Sequence, residues 1–350
     1  MEKQFVKDIP MMKPTFIAYI LTTIFACNTP HQSEQMRYET IGSVIRYDPA
    51  LDAIIDSSAT AEIIAEGFEW SEGPLWVESE QMLLFSDVPT NTIYKWTAET
   101  GSEVYLKPSG DTGDNPNRRK EPGSNGLLLD NAENLVLCQH GNRQVARMGA
   151  SLRQPQATFE TLGDRYDNKR LNSPNDAVYN KAGELFFTDP PYGLPTQGDN
   201  DPEKEIPFNG VYKIKQNSKV ILLTDQISKP NGIAFFPDGK KLLIGNSDPN
   251  AADWYVLDLT ETDTVVTPKL FYSATNEQAG LKGLPDGLKI DSKGTVYASG
   301  PGGVWIFDST GKVLGKIALD DAASNVALST DEKTLYITNS NKILRVKLKY

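Results

Sequence analysis

A unit of roughly fifty residues recurs along this chain, and a repeat of that length constrains the fold before any single residue does. The clearest copy is Lys229 to Asp248, KPNGIAFFPDGKKLLIGNSD: polar residue, glycine, apolar run, Pro-Asp-Gly turn, second apolar run, polar tail. Two such runs broken by a turn of this kind read as a two-strand meander. Five further copies open at Glu72-Gly73, Asn125-Gly126, Asn175-Asp176, Asp286-Gly287 and Asn325-Val326. Their second runs end as LLFSD, LVLCQH, LFFTDP, VYASG and LYITNS. One unit cannot bury both faces of its sheet, whereas units stacked around an axis share a core. The expectation is an all-β chain forming a six-bladed β-propeller. The last copy, ending in LRVKLKY, is one strand short, so Ala61 to Gly67 (AEIIAEG) is expected to close that blade and remove a free edge.

The repeat also predicts a site. In a propeller the first strand of each blade lines the central channel, so Glu72, Asn125, Asn175, Asn231, Asp286 and Asn325 should form a ring of oxygen-bearing side chains at one mouth. The second strand runs antiparallel and returns to the same mouth, which places His140, Asp189, Tyr192, Asn246, Asp248 and Ser299 at the rim. Asn-Gly and Asp-Gly are turn formers when met singly; recurrence at one phase favours a site. Three long connections should fold over it as lids: Lys107 to Ser124, Gly163 to Pro174 and Pro190 to Asn209.

The propeller is expected to span residues 59–350, behind a tether and capping segment at 28–58 and a signal peptide at 1–27. Lys13, the apolar run Phe16 to Phe25 and Ala26-Cys27 describe a secretory leader too short to span a bilayer. Ile-Phe-Ala-Cys resembles a bacterial lipobox. The expectation is a periplasmic or membrane-anchored lipoprotein carried on Cys27, the alternative being a plain signal peptide with an incidental cysteine. A formal charge of −11 argues against a nucleic-acid partner.

Oxygen-only ligands select hard cations, calcium first and magnesium or manganese next. Glu72 and Asp286 would neutralise one divalent ion, and Asn175 and Asn231 would add neutral carbonyl oxygens. With His31 and His140 the only histidines and no HExxH, a dedicated His/Cys zinc site is not expected, although zinc on oxygen ligands stays open. The absence of a GxSxG elbow argues against Ser-His-Asp acyl transfer.

From Arg46 onward the chain resembles the senescence-marker protein/gluconolactonase/luciferin-regenerating-enzyme (regucalcin-like) family of six-bladed propellers. The segments that carry the resemblance are EGFEWSEGPLW at 66–76, GSNGLLLD at 123–130, HGNRQVAR at 140–147, RLNSPNDAV at 170–178, FTDPPYGL at 187–194, PNGIAFFPDG at 230–239 and LPDGLKID at 284–291. Asp111 departs from it, standing where a tyrosine is frequent in the PSGxTG loop. The resemblance implies a catalytic divalent metal on Glu72, Asn175, Asn231 and Asp286, and hydrolysis of a small-molecule sugar lactone, with organophosphate hydrolysis known among relatives.

In that reading a calcium ion polarises the lactone carbonyl and water attacks. Asp286 is the expected general base, although ligation to a metal lowers its basicity; His140 is the fallback base or an orienting donor. Asn125, Arg170 and Asn325 are the expected substrate contacts. Two alternatives remain: a phosphotriesterase or arylesterase on the same metal, and a non-catalytic calcium-binding propeller module. A monomer or dimer is expected, in contact with a membrane only through the lipid anchor.

Overall fold

The computed structural model describes residues 38–113, 119–215, 218–259 and 266–349, together with Met1, Pro10 and Met11. The leader and Cys27 lie outside the described residues. Tyr38–Tyr350 form one compact unit.

Six antiparallel sheets of four or five strands form the blades, each running outward in chain order from an inner strand except where N-terminal strands join the last two, and a two-stranded ribbon pairs Arg165–Tyr166 with Lys169–Arg170. The inner strands are Ser71–Val77, Ser124–Leu129, Ala177–Tyr179, Pro230–Phe235, Leu288–Ile290 and Ala323–Leu328. The second strands are buried along nearly all of their length, as in Met82–Asp87 and Val296–Gly300, because each is covered by a neighbouring blade on either side. Large aromatics fill the wedges between blades. Trp254 meets Trp305 and Phe307 at centroid distances of 6.0 and 5.3 Å, and Trp76 stacks on Tyr336 at 5.3 Å.

The ring closes as the sequence predicts. Ala61–Glu66 pairs antiparallel with Lys342–Lys347, Ala65 facing Ile343, and so becomes the fourth strand of the last blade. Arg345 donates to Glu62 across this joint at 2.8 Å. Described residues ahead of that strand, expected as part of a tether and capping segment, join two blades at their outer edges. Thr40–Ile41 pairs antiparallel along the outer side of the closing strand, and Ser43–Arg46 pairs with Val313–Ala318 of the fifth blade. Among the described residues ahead of the closing strand only Pro49–Ala53 is helical, one 3₁₀ segment whose Leu51 is buried in the adjoining core. Loss of the closing strand would expose the edge of Lys342–Lys347 and forfeit the burial of Ile64, a side chain worth about 1.5–3 kcal/mol when buried. A chain beginning at Phe68 is therefore expected to melt well below the full unit and to self-associate, which thermal melts and size-exclusion chromatography would show.

Candidate functional site

At one mouth of the channel lies a cavity of ≈ 330 Å³ lined by Glu72, Asn125, Asn175, Asn231 and Asp286. Five blades thus contribute the residues that open their inner strands, and hydroxyls of the second strands hold them in place. Ser86 donates to the carbonyl of Asn125, Thr188 to that of Asn231 and Ser299 to that of Ser324, each reaching into the next blade at 2.6–2.9 Å. The residue after each ring position lies against the neighbouring backbone. A Cβ at Gly126 would stand 2.8 Å from the carbonyl oxygen of Asn175, and one at Gly232 2.2 Å from that of Asp286.

That same contact corrects the sixth copy. Gly126 donates to the carbonyl of Asn175, Gly232 to that of Asp286, and Gly287 to that of Ser324. Ser324 therefore holds the ring position, and Asn325 is one residue farther along, matching Asp176 of the third blade. Asn325 Oδ1 accepts from the Val326 N–H just as Asp176 Oδ1 accepts from Ala177, both at buried positions away from the cavity lining. Asn325 is not placed to touch a ligand in this cavity.

The electrostatics point to a missing positive charge. Burial drives the Asp286 carboxyl well above the usual carboxylate range, and the nearby Glu72 adds to the rise. Glu72 is raised in turn by burial, then by Asp176 and Glu121. Asp286 Oδ1 and Asn125 Oδ1 are buried without a hydrogen-bond partner. Asn231 donates its amide N–H to Ser247 Oγ at 2.8 Å, which turns its oxygen away from Ser247. Two carboxylates and amide oxygens with unmet lone pairs suit one hard divalent cation. Among the described residues no group of three or more His, Cys, Asp or Glu side chains forms such a site, so amide oxygens would have to complete the shell. A larger cavity of ≈ 490 Å³ has walls of Leu75, Trp76, Leu128, Val178 and Leu328, and offers no comparable donor set.

The predicted lids brace one another. Arg119 donates to the carbonyl of Gly193 and to Glu203, Arg143 to the carbonyls of Leu171 and Glu203, and Arg170 to that of Asn142. Arg170, expected to hold substrate, is thus a lid brace outside the cavity lining. Arg118 lies outside the described residues. Asp111 is buried beside a separate cleft, its carboxylate accepting from Gly113. His140 does not reach the cavity lining either. It is wholly buried, and burial followed by the charge of Arg119 presses its pKa to about 3, so it is neutral and a weak base. Of the rim residues, Tyr192 lines the cavity and donates to the carbonyl of Ser247 at 3.2 Å.

One functional candidate escaped the sequence reading. Glu121, at the end of the first lid, lines the cavity, and burial raises its carboxyl to about 7. The available signal was an acid four residues ahead of ring residue Asn125, in a loop already assigned to cover the ring. Trp70, Leu284, Ala322 and Ala323 supply an apolar wall.

The sequence profile of the SMP-30/Gluconolactonase/LRE-like region matches residues 70–341. A gluconolactonase of Zymomonas mobilis is 38% identical over 319 residues, covering 90% of this chain and 88% of that protein. A solved gluconolactonase of Xanthomonas campestris superposes with a TM-score of 0.75 at 28% identity, over 89% of this chain and 97% of its own. A calcium-binding regucalcin of Agrobacterium tumefaciens shares the fold, with a TM-score of 0.62 at 15% identity over 82% of this chain and 94% of its own.

Proposed function

The chain belongs to the SMP-30/gluconolactonase/LRE-like family, and from that premise we propose that it hydrolyses a sugar-derived lactone to its aldonic acid, using one divalent cation. The carrying observation is the convergence of Glu72, Asn175, Asn231 and Asp286 in a single cavity, with Asp286 Oδ1 unpaired and two carboxylates in need of a counter-charge. Those four residues would hold the ion. Calcium is the cation to try first, given the oxygen donors and the calcium-binding neighbour of the same fold. When bound, such an ion supplies Lewis acidity toward a carbonyl oxygen and cancels the ring's charge.

The remaining chemistry belongs to the chain. A cavity of ≈ 330 Å³ is at the small end for ligand pockets and suits a single sugar ring. Asn125 Oδ1 and the Glu121 carboxylate can accept substrate hydroxyls, while Trp70 and Leu284 face the C–H side of the ring. Ser247 lines the cavity, but its Oγ accepts the Asn231 amide and no histidine lines the cavity beside it, so no activated nucleophile is present. Water therefore adds directly, and no acyl-enzyme forms.

A panel of lactones and a phosphotriester, assayed with each divalent cation, tests this reading. Polyhydroxylated lactones should exceed δ-valerolactone and paraoxon-like esters by about tenfold or more in kcat/KM, because a site built to bond hydroxyls discriminates against substrates lacking them. Isotope-labelled water should deliver its oxygen to the new carboxylate in a single turnover, without a burst. Preference for the phosphotriester would overturn the reading.

A further inference from the structure

His140 is an imidazole buried completely, with no well-formed hydrogen bond at either ring nitrogen and the Glu121 backbone close by. Leaving buried polar atoms unpaired costs about 1–3 kcal/mol, so such a group in a lid-covered corner calls for a purpose. The acid facing it is Glu121, with Nδ1 and Oε2 3.7 Å apart. The other carboxylate oxygen, Oε1, accepts from Gln197 Nε2 of the third lid at 3.0 Å. Glu121 is thus fixed along one edge by an amide and faces an imidazole along the other, and it lines the cavity that holds Glu72 and Asp286. Its charge is felt by both of those ring carboxylates, although no hydrogen bond joins it to either.

This arrangement resolves a conflict in the ring. Asp286 cannot serve equally as a cation ligand and as a strong base, because the cation withdraws its basicity. Glu121 stands outside the ligand set and approaches from the lid. We propose that Glu121 is the general base of the hydrolysis, with His140 as the positioning residue behind it; the assignment rests on the lactone reading above. Glu121 takes a proton from water as the water oxygen bonds to the carbonyl carbon. When the bond from that carbon to the ring oxygen breaks, Glu121 returns the proton to the departing oxygen, leaving a hydroxy acid and the carboxylate as it began. Neutral His140 backs Oε2 at 3.7 Å, too far for a hydrogen bond as it stands, and a closer approach would let Nδ1–H donate to the anion or Nδ1 accept from the acid.

Glucono-δ-lactone hydrolysis by wild type, Glu121→Gln and Glu121→Ala tests the assignment, alongside calcium-dependent melting of each protein. Both variants should lose about 10²–10⁴-fold in kcat with KM within a few-fold, and both should keep the wild-type melting shift with calcium. Added formate should restore part of the rate to Glu121→Ala, where it can enter the vacated space, and none to Glu121→Gln. An active wild type with Glu121→Gln within about fivefold of it, no recovery with formate, or loss of the calcium shift would each overturn the role of Glu121. A wild type inert on every lactone would instead overturn the lactone reading, and this assignment with it.

Discussion

Replacing Asp286 by asparagine is expected to lower kcat/KM by about 10³-fold or more, and at the same time to raise the melting temperature of the metal-free protein at pH 8. The two effects share one cause. Asp286 and Glu72 are buried in one cavity, and burial holds both carboxyls above their ordinary range, helped at Asp286 by the charge of Glu72 and at Glu72 by those of Asp176 and Glu121. A carboxyl whose folded pKa is raised contributes stability that is complete below its unfolded pKa, about 4, and is lost as pH climbs toward the folded value. Metal-free wild type should therefore melt higher at pH 5 than at pH 8, and Asp286→Asn should narrow that difference. Added calcium should reverse the order at pH 8, stabilising wild type by mass action and leaving the variant almost unmoved. Thermal melts at two pH values, with chelator or calcium, read all four conditions. A variant that melts lower than metal-free wild type at pH 8 would contradict the electrostatic account.

The second large effect is steric. Gly232 follows ring residue Asn231, and a Cβ there would stand 2.2 Å from the carbonyl oxygen of Asp286 and 2.7 Å from the Cα of Gly287. Both obstacles are backbone of the next inner strand, so neither can swing aside. Gly232→Ala should cost about 1–3 kcal/mol of stability and displace Asp286 from Asn231, with a further loss of order 10²-fold in turnover from misplacement. Gly239 of the same blade is the control. It also sits in a tight turn, at φ +70°, but a Cβ there meets nothing within 4 Å. Gly239→Asn should keep activity and lose little stability. Equal damage from both substitutions would show that the close approach at Gly232 is unimportant.

That glycine contact also explains how far the sequence could be read. Blade number and the closing strand were legible because each blade repeats a strand-turn-strand pattern, and because an unpaired edge after LRVKLKY demands a partner. Five ring positions were legible for the same reason. The sixth was misread by one residue where the glycine that marks the register is replaced. In the third blade Asp176 takes the glycine's place and in the sixth Asn325 does, so each copy offers two adjacent polar residues. The alignment took the first of the pair at Asn175 and the second at Ser324-Asn325. Only the backbone bond from Gly287 to the Ser324 carbonyl distinguishes them.

Lid residues were harder still. Loop length and composition showed that the lids cover the ring, but not which side chains turn inward, because that depends on contacts between segments far apart in the chain. Arg170 was an expected substrate contact and proves to bind the carbonyl of Asn142, whereas Glu121, unremarked in a charged loop, faces the cavity. His140 followed the strand-two pattern to the mouth but is covered there, with Gly193 of the third lid against it: a Cβ at Gly193 would lie 2.4 Å from His140 Cβ.

The account depends most on one cavity that uses one cation to open a lactone. Its direct test is the rate of glucono-δ-lactone hydrolysis by purified protein, with uncatalysed opening subtracted, before chelation, after chelation and after calcium or another divalent cation is restored. The account predicts catalysis that chelator removes and the cation returns, with Asp286→Asn inactive in every condition. Catalysis that survives both chelation and Asp286→Asn, or no catalysis with any cation, would contradict it.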